Sequence, residues 1–248
     1  MRGLAAAARY LTIVPIPGRH DDSPDALGRA APWFPVVGAA IGIVLVAADR
    51  VASTVFPPIL AALLTITTWK LLAGGLHLDG LADCLDGLMG NDRAQRLAIM
   101  RDSRIGVFGE LGLIVALLVA VTSVAELPSR LRWRVLLVAP IVGRATPPML
   151  ALVFRAARPA GQGASFIGGV RAGGAGVAMI AALVISVVTL GVAGAVACLA
   201  GYVLALSTGQ FLSHRLGGIT GDVLGAAVEL TELAVLLAVT AWGRGAGE

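Results

Sequence analysis

Long apolar runs separated by short polar segments dominate the chain, and this pattern predicts its elements. Ala, Val, Leu and Gly fill several runs that few charges interrupt. Each run has about 18 or more residues, the length a helix needs to cross a bilayer core, whereas β-barrel strands would alternate apolar and polar positions. The sequence therefore predicts an all-α fold, a polytopic integral membrane helical bundle with about seven transmembrane helices, within a range of six to eight.

The predicted spans leave only short connections. Pro57 and Pro58 turn the chain between the first two spans, and Pro140, Pro147 and Pro148 predict a kink in the fourth. The spans are expected at 34–56, 59–76, 107–125 and 135–154, with two within 175–212 divided near 191–194 and a last one at 223–242.

The polar segments form a second set of elements. An amphipathic helix at the membrane interface is expected at the N-terminus, followed by a charged loop that contains Arg19, Asp21 and Asp22. Further along, helices are expected over 77–89 and 92–100 with a break at Gly90 and Asn91. The remaining polar segments are an arginine-rich connection at 127–134, a basic glycine-rich loop at 155–174 and a hinge at 213–222.

The arginines indicate an orientation. With the N-terminus inside, the 77–106 segment, the 155–174 loop and the 213–222 hinge share one side of the membrane. Twelve arginines then lie inside and five outside, as the positive-inside rule prefers. Arg130, Arg132 and Arg134 are a local exception to this rule. The chain is expected to be a single membrane domain, residues 1–248, with 77–106 as a cytoplasmic-side active-site segment.

Composition narrows the function classes. Hydrophobic residues make up 57% of the chain and charged residues 14%, so a soluble domain is excluded. The net charge of +4 comes from arginines that stand singly and form no basic stripe, so no nucleic-acid partner is expected. Cys84 and Cys198 have no metal-binding spacing and indicate no disulfide framework.

Three acids share one helical face. Asp79, Asp83 and Asp86 stand at i, i+4 and i+7, which keeps them within a sector of about 60°. Converging carboxylates either take up protons or share a cation, and Mg²⁺ is favoured over Ca²⁺ or Mn²⁺. The alternative is a solvated acidic face, which the small and apolar residues between the acids disfavour.

A second acidic group lies near the C-terminus. Asp222 opens the last span, and Glu229 follows at i+7 on nearly the same face, about 10 Å away. Acids inside a span are costly and usually functional, so Asp222 and Glu229 are further candidate metal ligands. Alternatively, Glu229 and Glu232 form structural ion pairs with Arg144 or Lys70.

A basic turn follows the acidic helix. Arg101, Ser103 and Arg104 are candidate phosphate ligands, because the planar guanidinium suits phosphate oxygens. Asp102, in the same turn, and Asp222 are alternative general bases. His77 is a candidate ligand or base, or a packing histidine. Acids that hold Mg²⁺ beside arginines that face phosphate are typical of phosphoryl transfer.

The motifs resemble a known family. GGLHLDGLADCLDGL and IMRDSRIGVFG, with LTIVPIPG, WFPVVGAAIG, RPAGQGASF and GGITGDVLGAAVELTEL in the same order, resemble the cobalamin (5′-phosphate) synthase family over nearly the whole chain. The resemblance implies a transferase in a prokaryotic inner membrane, with its active site facing the cytoplasm.

The resemblance also implies substrates and roles. Family members join adenosylcobinamide-GDP to α-ribazole or α-ribazole 5′-phosphate and release GMP with Mg²⁺ as cofactor. Arg155 and Arg158 are then expected on the diphosphate or the ribazole phosphate, together with Arg101 and Arg104. A homo-oligomer is left open.

A secondary transporter is the competing hypothesis. Glu229, Glu232 and Arg144 would form its ion-coupled site within the membrane. It predicts inverted repeats, which the two halves of the sequence do not display, and it leaves the 77–106 segment without a role.

Overall fold

The computed structural model describes residues 2–18, 23 and 25–245, without the side chains of residues 244 and 245. Arg19, Asp21 and Asp22 of the predicted charged loop lie outside these residues. The described residues form helices joined by short connections. The helices are α1 Arg2–Leu11, α2 Ala26–Arg29, α3 Phe34–Val55, α4 Pro58–Leu72, α5 Leu76–Gly87, α6 Arg93–Ile99, α7 Val107–Glu126, α8 Ser129–Val153, α9 Gln162–Gly169, α10 Ala172–Leu190, α11 Val192–Leu216 and α12 Gly221–Gly245.

The predicted membrane bundle is confirmed. Within the described residues, α3, α7, α8, α10, α11 and α12 are each long and apolar enough to cross a membrane. A seventh candidate is the pair of α4 and α5, which qualifies as one span only if the two helices are counted together. The count therefore falls within the expected six to eight.

A sharp bend replaces the end of the predicted second span. The prediction placed this span at 59–76, but α4 ends at Leu72 and α5 leaves it at 87°. Gly74 and Gly75 form the bend with φ of 64° and 69°, in the left-handed region that favours glycine. The apolar pattern continues through the bend, so periodicity alone did not reveal it. The bend directs α5 almost at right angles to α4.

Three predicted connections are shorter than expected. α8 begins at Ser129 and therefore contains the arginines that were assigned to a connection. Arg132 is buried and donates to Asp49 Oδ1 at 2.5 Å, so its charge is neutralised inside the bundle. The 155–174 loop contains the helix α9, and α11 continues to Leu216, which reduces the predicted hinge to four residues, 217–220.

The two most buried spans, α8 and α12, form the centre of the bundle. α3 and α10 pack on α8, while α11 and α5 pack on α12. α1, predicted at the membrane interface, buries Ala7 and Leu11 against the bundle. At Gly80, α5 approaches α12 so closely that a Cβ would lie 2.7 Å from the Asp222 carbonyl oxygen. The backbone of α5 is thereby placed directly against the first turn of α12.

Candidate active site

The segments that carry the predicted site residues meet at one end of the bundle. A parallel β-bridge joins Ala156 to Ile219 and ties the segment after α8 to the segment before α12. The Ala157 amide donates to the Ile219 carbonyl at 2.8 Å, and the Ile219 amide donates to the Arg155 carbonyl at 2.9 Å. Arg158 Nη2 donates to the Leu97 carbonyl at 3.2 Å, which adds α6 to the assembly. The segments that were predicted to share one side of the membrane therefore lie together at one end of the bundle.

Three carboxylates from two helices form an acidic wall at this end. Asp79 is exposed and Asp83 half-buried, one turn apart on α5, while Asp222 lies half-buried in the first turn of α12. Asp83 lies within electrostatic reach of both Asp79 and Asp222. Asp79 and Asp222 also repel each other. We call Asp79, Asp83 and Asp222 the acidic wall.

Two cavities open on either side of Asp79. The smaller one, of about 210 Å³, is lined by Arg158, Asp222, Tyr10 and the 160–164 backbone. The larger one, of about 660 Å³, is lined by Asp83 and the 101–105 turn. Asp79 lines both cavities. Asp79 is therefore accessible from both cavities.

Positive groups face the acidic wall in the smaller cavity. Arg158 Nη1 lies 3.7 Å from Asp222 Oδ2, and the Thr220 hydroxyl donates to the same oxygen at 3.1 Å. Residues of the first turns of α9 and α12 also line this cavity, and a helix N-terminus has backbone N–H groups without partners in the helix. Such groups bind phosphate readily. Arg155, the other predicted arginine of this loop, is exposed and lines neither of the two cavities.

The larger cavity holds the basic turn. Arg101, Ser103 and Arg104 are exposed and line it, as a substrate-binding role requires. Asp102 accepts hydrogen bonds from the Arg104 side chain and backbone, and these bonds lower the pKa of Asp102 to about 2. A carboxylate with so low a pKa takes up a proton poorly. Asp102 is therefore a weak candidate for the general base.

Asp86, the third acid of α5, turns away from the acidic wall. Its Oδ2 accepts from the Gly106 amide at 2.7 Å and its Oδ1 from the Gly109 amide at 2.8 Å. Both oxygens are therefore engaged by the start of α7. Asp86 still acts electrostatically on Asp83, but its two oxygens are taken up by these amides, whereas Asp79 and Asp83 line a cavity. Asp86 instead anchors α7 and the basic turn that precedes it.

Glu229 and His77 lie deeper, at a second cluster of charges. Lys70 Nζ donates to Glu229 Oε1 and, at 3.2 Å, to Glu232 Oε2. Arg144 Nη1 donates to Glu232 Oε1. His77 is buried beside this cluster and lines neither of the two cavities. We call Lys70, Arg144, Glu229 and Glu232 the buried charge cluster. Its ion pairs are those of the alternative interpretation, in which Glu229 and Glu232 pair with Lys70 or Arg144 for structural reasons.

The acidic wall suits a hydrated divalent ion. Among the described residues, no three His, Cys, Asp or Glu side chains stand close enough to hold a metal unaided. Mg²⁺, however, usually keeps several waters and takes one or two carboxylates together with substrate phosphates. The acidic wall offers only carboxylate oxygens, at the rim of cavities that also contain phosphate-binding groups. This donor set fits Mg²⁺ shared with a phosphate ligand.

Two site residues were missed by the sequence reasoning. Tyr10 lines the smaller cavity, and burial, aided by the nearby Asp222 charge, raises the pKa of its phenol, which stays a donor. Its position three residues after the buried Ala7 on α1 is the periodic signal that could have placed it inward. Thr220, which donates to Asp222, had no comparable signal because its partner is set by the loop conformation.

Comparisons with known proteins show which family the chain resembles. The family model described as cobalamin-5-phosphate synthase matches residues 3–240. An adenosylcobinamide-GDP ribazoletransferase of Geotalea daltonii is 36% identical over 239 residues, covering 96% of each chain. Proteins of the same name from Pseudomonas aeruginosa and Chlorobaculum tepidum are 39% and 38% identical, covering 96% and 99% of this chain and 98% and 97% of their own. No solved structure matches the chain.

Proposed function

The chain belongs to the cobalamin-5-phosphate synthase family, and from this premise we propose that it is a membrane transferase that joins adenosylcobinamide-GDP to α-ribazole or α-ribazole 5′-phosphate. Three relatives that are 36–39% identical over almost their whole length carry the name adenosylcobinamide-GDP ribazoletransferase. The helices long enough to span a membrane support a multi-pass location. We place the protein in a prokaryotic inner membrane with the site on the cytoplasmic side.

The proposed reaction is a phosphoryl transfer. A ribose hydroxyl of the ribazole attacks the phosphorus on the cobinamide side of the diphosphate. A P–O bond forms to the hydroxyl oxygen, the P–O bond to GMP breaks, and the hydroxyl proton is taken up by a base. The products are adenosylcobalamin, or its 5′-phosphate, and GMP.

The position of Asp79 between two cavities is the observation that carries this proposal. The smaller cavity combines Arg158 with the N-terminal turns of α9 and α12, which together suit phosphate oxygens. The larger cavity contributes Arg101 and Arg104. The two substrates, which react at one diphosphate, could therefore bind in the two cavities that Asp79 lines. Positioning of this kind supplies much of the rate in phosphoryl transfer.

We propose that Mg²⁺ takes one or two of its ligands from Asp79, Asp83 and Asp222 and the others from substrate phosphates and water. The bound ion would neutralise charge that develops on the diphosphate oxygens. Glu229 is left out of this set because it is paired with Lys70, and Asp86 is left out because the start of α7 engages both of its oxygens.

Asp222 is better placed than Asp102 to accept the hydroxyl proton. It lies in the smaller cavity beside Arg158, whereas Asp102 is exposed and held as a carboxylate by Arg104. His77 lies beneath the site, beside the buried charge cluster, and we assign it a packing role.

The test is a reconstituted assay. Protein in lipid nanodiscs receives adenosylcobinamide-GDP, α-ribazole and Mg²⁺, and GMP release is followed by chromatography. We expect GMP and corrinoid product in equal amounts, loss of both with EDTA, and their return when Mg²⁺ is added in excess. Absence of GMP while a relative from Pseudomonas aeruginosa works in the same nanodiscs would refute the assignment. GMP release that continues unchanged in EDTA would refute the metal proposal alone.

A further inference from the structure

An apolar groove runs along the back of the helix that carries the acidic wall. We call it the α5–α11 groove; it has a volume of about 420 Å³ and is separate from both cavities of the candidate site. Its main lining residues are Leu81 and Leu85 of α5, Leu88 directly after α5, Phe211 and Leu212 of α11, and Leu230 of α12.

The groove follows from the two faces of α5. Helical spacing places Leu81, Leu85 and Leu88 on the side opposite to Asp79 and Asp83. One face of α5 thus carries the carboxylates and the other faces the groove. Whatever fills the groove therefore lies against the back of the acidic wall.

Two arginines stand at one end of the groove. Arg215 lies one helical turn after Phe211, and its guanidinium carbon is 3.8 Å from the centre of the Phe211 ring. Arg96 lies beside the end of α5, where its backbone and Cγ pack against Gly90, two residues after Leu88. Arg96 Nη1 also approaches the Arg215 backbone carbonyl at 3.5 Å, which places the Arg96 guanidinium beside the end of α11.

Neither arginine is neutralised within the described part of the chain. The two hydrogen bonds of Arg96, to the Arg215 and Asn91 carbonyls, are both 3.5 Å long, and its buried Nε has no partner. No described carboxylate forms an ion pair with Arg96 or Arg215. Normal N–H···O bonds are about 2.9–3.0 Å long, so these guanidinium groups keep unused donors for an anion.

We propose that the α5–α11 groove binds an anionic phospholipid, with an acyl chain along the apolar lining and the phosphate between Arg96 and Arg215. The positive charges of the two arginines complement a negative phosphate. The geometry also fits a lipid, because the arginines stand near the end of α11 and the apolar lining begins one turn inside the span. Basic pockets between membrane helices are typical sites for anionic lipid head groups. The bound lipid supports α5 from behind.

Lipid retention tests this proposal without measuring turnover. Delipidated protein is incubated with equal amounts of phosphatidylglycerol and phosphatidylcholine, and the bound lipids are counted by native mass spectrometry. Each arginine is expected to favour the anionic lipid about fivefold, so the variant Arg96→Gln/Arg215→Gln should bind both lipids alike. The matched control Arg50→Gln/Arg130→Gln, at the opposite end of the bundle, should keep the preference.

A second variant separates a lipid from a free anion. Thr208→Trp fills the groove and leaves both arginines in place, so it should lose the bound phospholipid; Ser207→Phe, on the exposed side of α11, serves if the first variant unfolds. Phosphatidylglycerol retained by a folded groove-filled variant would show an anion site that needs no acyl chain. An equal preference in the wild type, or an unchanged preference in the double arginine variant, would equally overturn the proposal.

Discussion

Two groups of charged side chains lie on α12 and its neighbours, and they differ in how their charges are balanced. In the buried charge cluster, two cations face two carboxylates, and all four side chains are nearly inaccessible. In the acidic wall, three carboxylates repel one another, and Arg158 is the only cation that forms a described ion pair with any of them, at 3.7 Å. The first group is balanced by its own ion pairs, whereas the second has three carboxylates and one cation in a described ion pair.

The balance of charge therefore distinguishes structural charged residues from candidate catalytic residues better than residue type does. Asp222 and Glu229 stand at i and i+7 on the same helix, and both were candidates for the metal site. Glu229 is paired and 1% exposed, whereas Asp222 opens into a cavity. The same comparison argues against an ion-coupled transport site, because the charges within the span already neutralise one another.

The largest effect is expected from breaking the buried charge cluster. Arg144→Leu leaves Glu232 in the interior with only the 3.2 Å contact to Lys70, and removing one partner of a buried pair costs about 3–5 kcal/mol. The midpoint of thermal unfolding in detergent should fall sharply. Arg130→Leu, exposed on the same helix, is the control and should change little.

The double variant Arg144→Leu/Glu232→Leu sharpens this test. It removes both charges of one pair and leaves Lys70 with Glu229, so most of the lost stability should return. If the double variant were less stable than Arg144→Leu alone, the pairing would not be what stabilises the cluster.

Substitutions in the acidic wall should lower turnover and leave stability almost unchanged, the opposite of substitutions in the buried charge cluster. Asp79→Asn removes a charge that the two cavities share, and turnover should fall by about 10²–10³-fold, as for loss of a single group that stabilises the transition state. Unfolding should barely change because Asp79 is exposed. Glu110→Gln, an exposed acid in the first turn of α7, is the matched control for loss of one negative charge. A normal rate in Asp79→Asn would remove Asp79 from the chemistry.

The effects of replacing Asp86 should fall between those expected for the buried charge cluster and those expected for the acidic wall. Asp86→Ala frees two amides at the start of α7 and should lower the free energy of unfolding by about 1–2 kcal/mol, as loss of a helix cap does. Turnover should fall about tenfold, because the basic turn loses its anchor. Asp92→Ala removes a comparable cap from α6, where Asp92 accepts from the Gln95 amide. It should cost similar stability with little loss of turnover; equal turnover losses would mean that Asp86 has no specific role in placing the turn.

The smallest effect is expected at Asp102. Because its pKa is lowered to about 2, Asp102 is already a carboxylate throughout the range of about pH 5–9 and exchanges no proton there. Asp102→Asn should therefore keep turnover within about twofold and leave the pH profile of kcat unchanged in shape. If one limb of that profile vanished in Asp102→Asn, Asp102 and not Asp222 would be the base.

Local patterns predicted much of the fold and part of the site. A long run of apolar residues predicts a helix that faces lipid or the protein core. Such a run predicted α7 at 107–125, and the helix lies at Val107–Glu126. The acidic helix was also expected, at 77–89, from its spacing and from the break at Gly90 and Asn91. These features depend on residues close together in the chain.

What could not be predicted depends on distant partners. The spacing of Asp86 puts it on the face of Asp79 and Asp83, yet the amides of Gly106 and Gly109 draw its carboxylate away. Glu229 faces Lys70, which lies 159 positions earlier in the chain. A helical pattern gives the direction of a side chain, but the choice of partner is made by the packing of whole helices.

Gly75, directly before α5, and Gly80, within α5, differ in which side chains could replace them. At Gly75, φ is 69° and no atom lies within 4 Å of a Cβ, so the obstacle is the backbone conformation. Asparagine tolerates that conformation and is an acceptable substitute there. At Gly80 the obstacle is the Asp222 backbone itself, so even alanine would push α5 from α12. A library that allows asparagine at both positions should therefore return it at 75 and never at 80.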